Sequence, residues 1–149
     1  MMTIRRAEPK DCDAIVHFNC SMALETEDKV LSDELIRPGV ERLLNTPEYG
    51  FYLVAEGSGE LCGGLMVTFE WSDWRNGLFW WVQSVYVLPQ FRRQGIYKKL
   101  YEQVKTLATE SQECCGYRLY VEKQNTVAQK VYENLGMHET HYLMYEESF

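Results

Sequence analysis

Aromatic and β-branched residues are concentrated in the middle of the chain. Three such runs, YGFYLVAE, LCGGLMVTFEW and GLFWWVQSVYV, are separated by short polar stretches such as GSGE. Runs of this composition bounded by turn residues are typical of strands, and short turns join antiparallel neighbours. The middle of the sequence therefore predicts a meander of three antiparallel strands.

From Gly95 onward the apolar residues recur every three to four positions, which is the period of a helix. The recurring positions are Ile96, Leu100, Val104 and Leu107. Lysine, glutamate and threonine fill the other faces of this segment. We predict an amphipathic helix of about four turns that follows closely on the third strand of the meander.

The segment before the meander predicts one strand and two helical stretches. The run MTIRRA is a short strand, and Pro9 with Asp11 then opens an amphipathic helix that carries Ile15, Val16 and Phe18. The following segment, LETEDKVLSDELIRPGVERLLN, has helical composition, but proline and glycine interrupt it. We therefore predict a helix broken at RPG.

The C-terminal part completes the predicted fold. YRLYVE predicts a strand, a helix then begins at Asn125 or Thr126 and ends at Gly136, and MHETHYLMYEE alternates as a last strand. This order predicts an α/β (α+β) fold with a mixed, mostly antiparallel sheet of about six to seven strands and about four helices on both faces. With 149 residues and no linker or repeat, we expect a single domain, residues 1–149.

Composition and charge narrow the classes of function. The chain has 15 basic and 22 acidic residues, net −7, which argues against a nucleic-acid binder. No run is apolar and long enough for a membrane span, and the N-terminus lacks the apolar region of a leader. The five cysteines form no CxxC pair and no zinc-ligand spacing, so we expect reduced, mostly buried thiols, no metal and a cytoplasmic protein.

The four-turn helix begins without a side-chain cap. The sequence before it is QFRRQGI, in which no Ser, Thr or Asp stands at the start. Free N–H groups and the positive end of the helix dipole favour a bound anion, and Gly95 would let it approach the backbone. Arg92 and Arg93 would add donors suited to phosphate. Taken alone, the tetrapeptide RRQG is more typical of a solvated surface turn.

Two motifs together give this helix start a more specific meaning. RRQGIY resembles motif A of the GNAT superfamily of N-acetyltransferases, Q/R-x-x-G-x-G/A, with Arg92, Gly95 and Tyr97 at its three defining positions. Tyr97 stands where the family has a small residue. NTVAQKVYENLGM, from Asn125 to Met137, is similar to motif B of the same family and follows a predicted strand as that family requires.

The resemblance implies a GNAT-like fold and acetyl-CoA as cosubstrate, with no metal. Backbone groups from Val85 to Val87 would pair with the pantetheine arm, and backbone amides of the loop would take the pyrophosphate. These amides belong to Arg93, Gln94, Gly95, Ile96 and Tyr97. Asn125 would contact the pantetheine or act as a plain N-cap. Tyr132 would protonate the departing thiolate or serve as a core tyrosine.

The resemblance also implies direct attack by an amine, which must lose a proton before it reacts. The family often places a glutamate for this task on the strand before motif A, where this chain has Gln83. We place first a water held by Gln83 and Ser84. Glu122 and the acidic segment of Glu25, Glu27 and Asp28 are the alternatives.

The expected acceptor is a primary amine of a small molecule, polyamine-like or otherwise cationic. Glu25, Glu27 and Trp81 are its candidate contacts, because carboxylates and aromatic rings suit a cation. The hairpin DWRNGLFWWVQSVYV is reminiscent of the polyamine acetyltransferase branch, but any single tryptophan there could instead pack the core. A non-catalytic acyl-CoA sensor and a protein or peptide acetyltransferase remain alternatives. A homodimer is an expectation from the family.

Overall fold

The computed structural model describes residues 1 to 149 and contains two compact units, residues 1–119 and residues 120–149. The first unit contains β1 (Met2–Arg6), α1 (Cys12–Glu27), α2 (Asp33–Leu44), β2 (Gly50–Gly57), β3 (Glu60–Ser72), β4 (Gly77–Val87), α3 (Ile96–Ser111) and β5 (Cys114–Arg118). Short 3-10 turns lie at Pro9–Asp11 and Pro89–Phe91. The second unit contains one helix, α4 (Thr126–Asn134).

The first unit is built on one mixed sheet in the order β1-β2-β3-β4-β5. The neighbours from β1 to β4 are antiparallel, and β4 and β5 are parallel. The predicted meander is therefore confirmed as β2, β3 and β4, and so is the mixed, mostly antiparallel α+β class. Five strands form where about six to seven were expected.

The difference in strand number arises at the C-terminal end. The strand predicted at YRLYVE forms earlier in the chain, at Cys114–Arg118. These are the residues that pair with β4 in parallel, from Cys114 beside Leu78 to Arg118 beside Trp81. The last predicted strand, MHETHYLMYEE, forms no strand, and its residues from His138 onward are exposed. Alternation makes a segment suitable for a sheet, but a strand exists only where a neighbouring backbone supplies the hydrogen bonds.

The helical segment before the meander breaks at a different place from the predicted one. α1 continues to Glu27, and Asp28 ends it in the left-handed conformation at φ 52°. α2 then begins at Asp33 and continues through Pro38, so the predicted interruption at RPG is wrong. The missing hydrogen bond of a proline is tolerated here because the next turn buries Val40 in the core.

Both faces of the sheet are covered by helices. On one face Tyr52 and Val54 of β2 pack with Ile15 of α1 and Val40 of α2 in one cluster. Leu53 alternates with these strand residues, is fully buried and faces the opposite side. α3 contacts all five strands and buries its apolar side, including Leu100, which covers this second face.

One irregularity in β4 decides which side chains face α1. Between the pairs Met66–Gln83 and Gly64–Tyr86, β4 has one residue more than β3, and Ser84 takes a left-handed conformation with φ 52°. An extra residue of this kind is a β-bulge, which reverses the alternation of the strand beyond it. Tyr86 consequently packs against Phe18 of α1, with ring centroids 5.8 Å apart.

The cysteines are free, but they are less buried than expected. Cys62 alone is buried, while Cys12, Cys20, Cys114 and Cys115 are half-buried. The expectation of mostly buried thiols is therefore wrong. Cys12, Cys114 and Cys115 lie at the starts of α1 and β5, while Cys20 lies in the middle of α1 and packs at the margin of the core cluster. None of the helices combines the length and the apolar character that a membrane crossing requires.

We predict that Gly63→Ala destabilises the protein by about 1 to 3 kcal/mol. A Cβ at Gly63 would lie 2.4 Å from the carbonyl oxygen of Tyr86, so β3 and the end of β4 would have to separate. Gly39→Ala is the matched control, because a Cβ there meets nothing within 4 Å and the residue lies inside α2. Urea denaturation should show Gly39→Ala unchanged or more stable. Equal stability of both variants would contradict the close approach.

Candidate active site

The start of α3 is arranged to receive an anion. Gly95 is its N-cap residue at φ 74°, and no side chain caps the first turn. Arg93 is also left-handed, at φ 65°, so the loop turns sharply before the helix. A Cβ at Gly95 would meet nothing within 4 Å, which means that open space adjoins the helix end. Backbone N–H groups and the helix dipole at such an end attract phosphate.

Tyr97 does not fill this space. Its ring stacks on that of Tyr101, with centroids 6.1 Å apart and planes inclined by 26°, and its hydroxyl oxygen is buried. Ile96 is 3% exposed, so its side chain belongs to the core and only its backbone can face a ligand. The bulky residue at the third motif position is therefore accommodated along α3 and leaves the approach to Gly95 open.

The end of β4 has an edge that β5 leaves unpaired. β5 accompanies β4 only from Leu78 to Trp81, while β4 continues to Val87. Val85 and Val87 thus lie on the part of β4 that has a strand neighbour on the β3 side alone. An extended chain could add itself there by backbone hydrogen bonds. The carbonyl oxygen of Val87 already accepts a bond from Nε of Arg92, at 2.9 Å.

Arg92 and Glu25 are brought together by the tertiary fold. Nη2 of Arg92 donates to Oε1 of Glu25 at 2.8 Å, and the Tyr86 hydroxyl donates to Oε2 of the same carboxylate. These two bonds lower the pKa of Glu25, the Tyr86 bond contributing most. Burial, followed by the nearby carboxylate, raises the pKa of Tyr86. The network joins the last turn of α1, the end of β4 and the loop before α3.

A second polar cluster lies on the α1 side of the sheet. Nε1 of Trp81 donates to Oε1 of Glu70 at 2.8 Å, and Nη1 of Arg118 donates to the same oxygen at 2.9 Å. The Arg118 guanidinium also lies over the Phe79 ring, 3.6 Å from its centroid. Trp81 is half-buried here and is oriented by a carboxylate. Oε1 of Glu70 thus accepts from both Trp81 and Arg118 on a partly exposed surface.

Gln83 lies one pair further along β4, opposite Met66 of β3. Its Nε2 donates to Oγ1 of Thr68 at 3.2 Å. This bond directs the amide and leaves its Oε1 as an acceptor. Trp80, in contrast, is 3% exposed and packs edge-on against Phe51 and Phe69, so of the two adjacent tryptophans only Trp81 borders the polar surface.

The second unit contains three of the predicted site residues. Asn125 is the N-cap of α4, and its Oδ1 accepts from the Ala128 amide at 3.1 Å. Glu122 is exposed, and its backbone carbonyl accepts from the Asn125 amide and from Nε2 of Gln129. Tyr132 is half-buried, and burial raises its pKa. Gly136 follows α4 at φ 97°, which agrees with its predicted role in ending that helix.

Two further candidates, Glu27 and Gln94, lie on the exposed surface. Glu27 is exposed at the end of α1, and Gln94 is exposed with its side-chain amide 3.5 Å from the Gln90 carbonyl oxygen. The sequence pattern did not point to Tyr86 or Glu70 as site residues. Regular alternation along β4 places Tyr86 on the wrong face, because the bulge at Ser84 reverses the alternation. Glu70 becomes a site residue only through the strand register, which places β3 beside β4. No three His, Cys, Asp or Glu side chains lie close enough to hold a metal ion.

Comparison with known proteins identifies what this architecture is similar to. A family model described as the acetyltransferase (GNAT) family matches residues 16–137. Thialysine N-epsilon-acetyltransferase of Sus scrofa is 33% identical over 144 residues, covering 89% of this chain and 82% of the relative. The Mus musculus protein of the same name is 30% identical over 145 residues, with the same coverage.

Solved structures agree with the sequence relatives. A possible acetyltransferase from Clostridium difficile 630 is 42% identical, has a TM-score of 0.93 and is matched over 100% of this chain and 98% of its own. The aminoglycoside N-acetyltransferase AAC(6′)-Iy in complex with CoA shares the fold, with a TM-score of 0.79 at 20% identity over 99% of this chain and 95% of its own. The chain belongs to the GNAT family and is an acetyl-CoA-dependent N-acetyltransferase.

Proposed function

We propose that this enzyme transfers the acetyl group of acetyl-CoA directly to a primary amine of a small cationic molecule. The observation that carries the proposal is the uncapped start of α3 beside the unpaired end of β4, since it offers an anion site and a backbone edge together. Acetyl-CoA needs both, because its pyrophosphate requires an anion site and its extended pantetheine arm requires a backbone edge to pair with.

The cosubstrate fits these residues. We assign the pyrophosphate to the amides of the loop, namely Arg93, Gln94, Gly95, Ile96 and Tyr97, with the Arg92 and Arg93 guanidinium groups as further donors. Backbone groups of Val85 and Val87 would bind the pantetheine arm. Asn125 serves as a helix cap, and a contact of this residue with the arm stays a prediction. When bound, acetyl-CoA supplies the acetyl group as a thioester.

Removal of the amine proton is assigned to water at Gln83. An alkylamine has a pKa of about 10, so most of it is protonated at neutral pH. Gln83 cannot take that proton itself, but Oε1 is free to accept from a water molecule because Nε2 is bonded to Thr68. Glu25 has both carboxylate oxygens occupied, and Glu122 is exposed. These two carboxylates are therefore the second choices for the base.

Tyr132 is assigned as the acid. Its phenolic O–H would donate a proton to the sulfur of the departing thiolate. The amine nitrogen loses one proton to water before attack and a second after attack, and this second proton would return through water to the Tyr132 phenolate, so the transfer balances with net release of one proton. Two observations support this role. The residue stands at the tyrosine position of motif B, and burial raises its pKa, which keeps the hydroxyl protonated at neutral pH.

The acceptor class rests on the charges near the sheet and at the end of α1. Glu25 and Glu27 lie at the end of α1, Trp81 borders the polar surface with Glu70, and the whole chain carries a net charge of −7. Such surroundings attract a cation and suit its ammonium group. Two relatives carry the name thialysine N-epsilon-acetyltransferase, and an acceptor amine on a small molecule agrees with that name.

A non-catalytic acyl-CoA sensor is the second candidate. It is favoured by one observation, the amide of Gln83 at a position where a carboxylate would act as base. A sensor would keep the anion site and lack turnover. Acetylation of a protein or peptide amine is the alternative acceptor class, and homodimer formation stays a prediction from the family.

We predict that the purified protein with acetyl-CoA releases free thiol when it is offered a panel of polyamines, amino acids, aminoglycosides and lysine peptides. Cationic small amines should give the fastest release because the surface near their candidate site is acidic. A thiol reagent measures the product directly. Tight binding of acetyl-CoA without thiol release across the panel would favour the sensor, and release with peptides alone would move the acceptor class to proteins.

We predict that Gly95→Glu raises the dissociation constant for CoA by about tenfold or more, because a carboxylate would stand at the helix end that attracts the pyrophosphate. Gly59→Glu is a matched control, since Gly59 is also left-handed, at φ 81°, and also adjoins open space. Both variants carry similar backbone strain, and calorimetric titration should show CoA affinity within about twofold of wild type for the control. Normal CoA binding by Gly95→Glu would refute the pyrophosphate assignment.

We predict that Tyr132→Phe lowers kcat by about a hundredfold or more and leaves the CoA dissociation constant nearly unchanged. The reason is that only the proton donor is lost, while the ring remains. Tyr145→Phe, which alters an 88% exposed tyrosine of the same unit, is the control and should retain full turnover. Full turnover by Tyr132→Phe would return this residue to a structural role.

A further inference from the structure

Arg92 has two hydrogen-bond partners within the protein and would gain a further one, the pyrophosphate, in the complex with cosubstrate. Its guanidinium is held by Oε1 of Glu25 at 2.8 Å and by the Val87 carbonyl at 2.9 Å. It also precedes Gly95, the N-cap of α3, by three residues in the same loop. A pyrophosphate at the α3 start therefore competes with Glu25 for this guanidinium.

The exchange costs little. The side chains of Arg92 and Glu25 are 44% and 40% exposed, and ion pairs with that exposure contribute at most about 1 kcal/mol. A pyrophosphate carries more negative charge than one carboxylate and can accept two parallel hydrogen bonds from a guanidinium. The balance therefore favours transfer of Arg92 from Glu25 to the cosubstrate.

Glu25 is the group that the exchange changes. Arg92 donates to Oε1 and the Tyr86 hydroxyl donates to Oε2. An ammonium group that approached Glu25 would have to displace an arginine. Without Arg92, Glu25 would keep the bond from Tyr86, which holds the carboxylate in place, and would present Oε1 with an uncompensated negative charge.

We propose that Glu25 is a positioning and specificity residue that links the two substrate sites: the pyrophosphate withdraws Arg92 from Glu25, and the freed carboxylate then binds the ammonium of the acceptor. This inference rests on the proposed acetylation of a cationic amine. The acceptor site is complete only when the cosubstrate holds Arg92, so each substrate strengthens the binding of the other. By linkage, the amine strengthens CoA binding by the same factor that CoA strengthens amine binding.

Calorimetric titration of CoA into wild type, Glu25→Gln and Glu34→Gln tests the competition. Glu25→Gln keeps an acceptor for the Tyr86 hydroxyl but releases Arg92, so CoA should bind about two- to fivefold more tightly. Glu34→Gln removes an equal charge from the exposed first turn of α2, and its CoA affinity should stay near that of wild type. Unchanged or weaker CoA binding by Glu25→Gln would overturn the proposal, since a purely structural Glu25 that orders the loop predicts weakening.

A double variant separates this effect from a general change in charge. In an Arg92→Ala background the substitution Glu25→Gln should no longer improve CoA affinity, because the competing group is absent. The same gain in both backgrounds would show that Arg92 is not the shared group, and it would refute the exchange.

Spermidine serves as the probe for the acceptor side, titrated with and without saturating CoA. Wild type should bind spermidine more tightly with CoA, by the same factor by which spermidine strengthens CoA binding. Glu25→Gln should show no such gain. Equal binding with and without CoA would overturn the link between the sites. Absence of spermidine binding in every state would count against the proposed acceptor class instead, while the CoA titrations of the variants would still decide the exchange of Arg92.

Discussion

The extra residue at Ser84 in β4 is the constraint on which the candidate site depends. It breaks the regular pairing with β3, and Gly63 permits the close approach of the two backbones at that point. Because a strand alternates its side chains, one added residue reverses every position beyond it. Tyr86 thereby reaches α1, and the last part of β4 lies where β5 no longer accompanies it.

The same bulge connects three parts of the chain that are far apart in sequence. Tyr86 and Arg92 both bond to Glu25, which lies more than sixty residues earlier in the last turn of α1. A carboxylate between a tyrosine and an arginine is stabilised in its ionised form, which is why its pKa is lowered. The loop before α3 is therefore held by tertiary contacts, while the first turn of that helix stays uncapped.

Local chemistry was enough to predict the parts of the site that depend on backbone conformation. A glycine between polar residues and an apolar helical repeat predicts a helix start without a side-chain acceptor, and Gly95 is the uncapped N-cap residue of α3. Asn125 likewise caps α4 as its residue type predicts. The interruption at RPG and the last strand were mispredicted, because packing of Val40 offset the proline in the first case and no neighbouring strand was present in the second.

The sequence by itself determined the meander, the amphipathic α3 and its uncapped start, since periodicity and residue type act over a few neighbouring positions. The partners of the functional side chains were decided only by the tertiary structure. Glu25 was predicted as a contact of the acceptor, and in the fold its carboxylate is bound to Tyr86 and Arg92. Trp81 was predicted likewise, and Glu70 orients it. Such pairs depend on strand register and on one bulge, which no local pattern encodes, because register is set by the whole sheet.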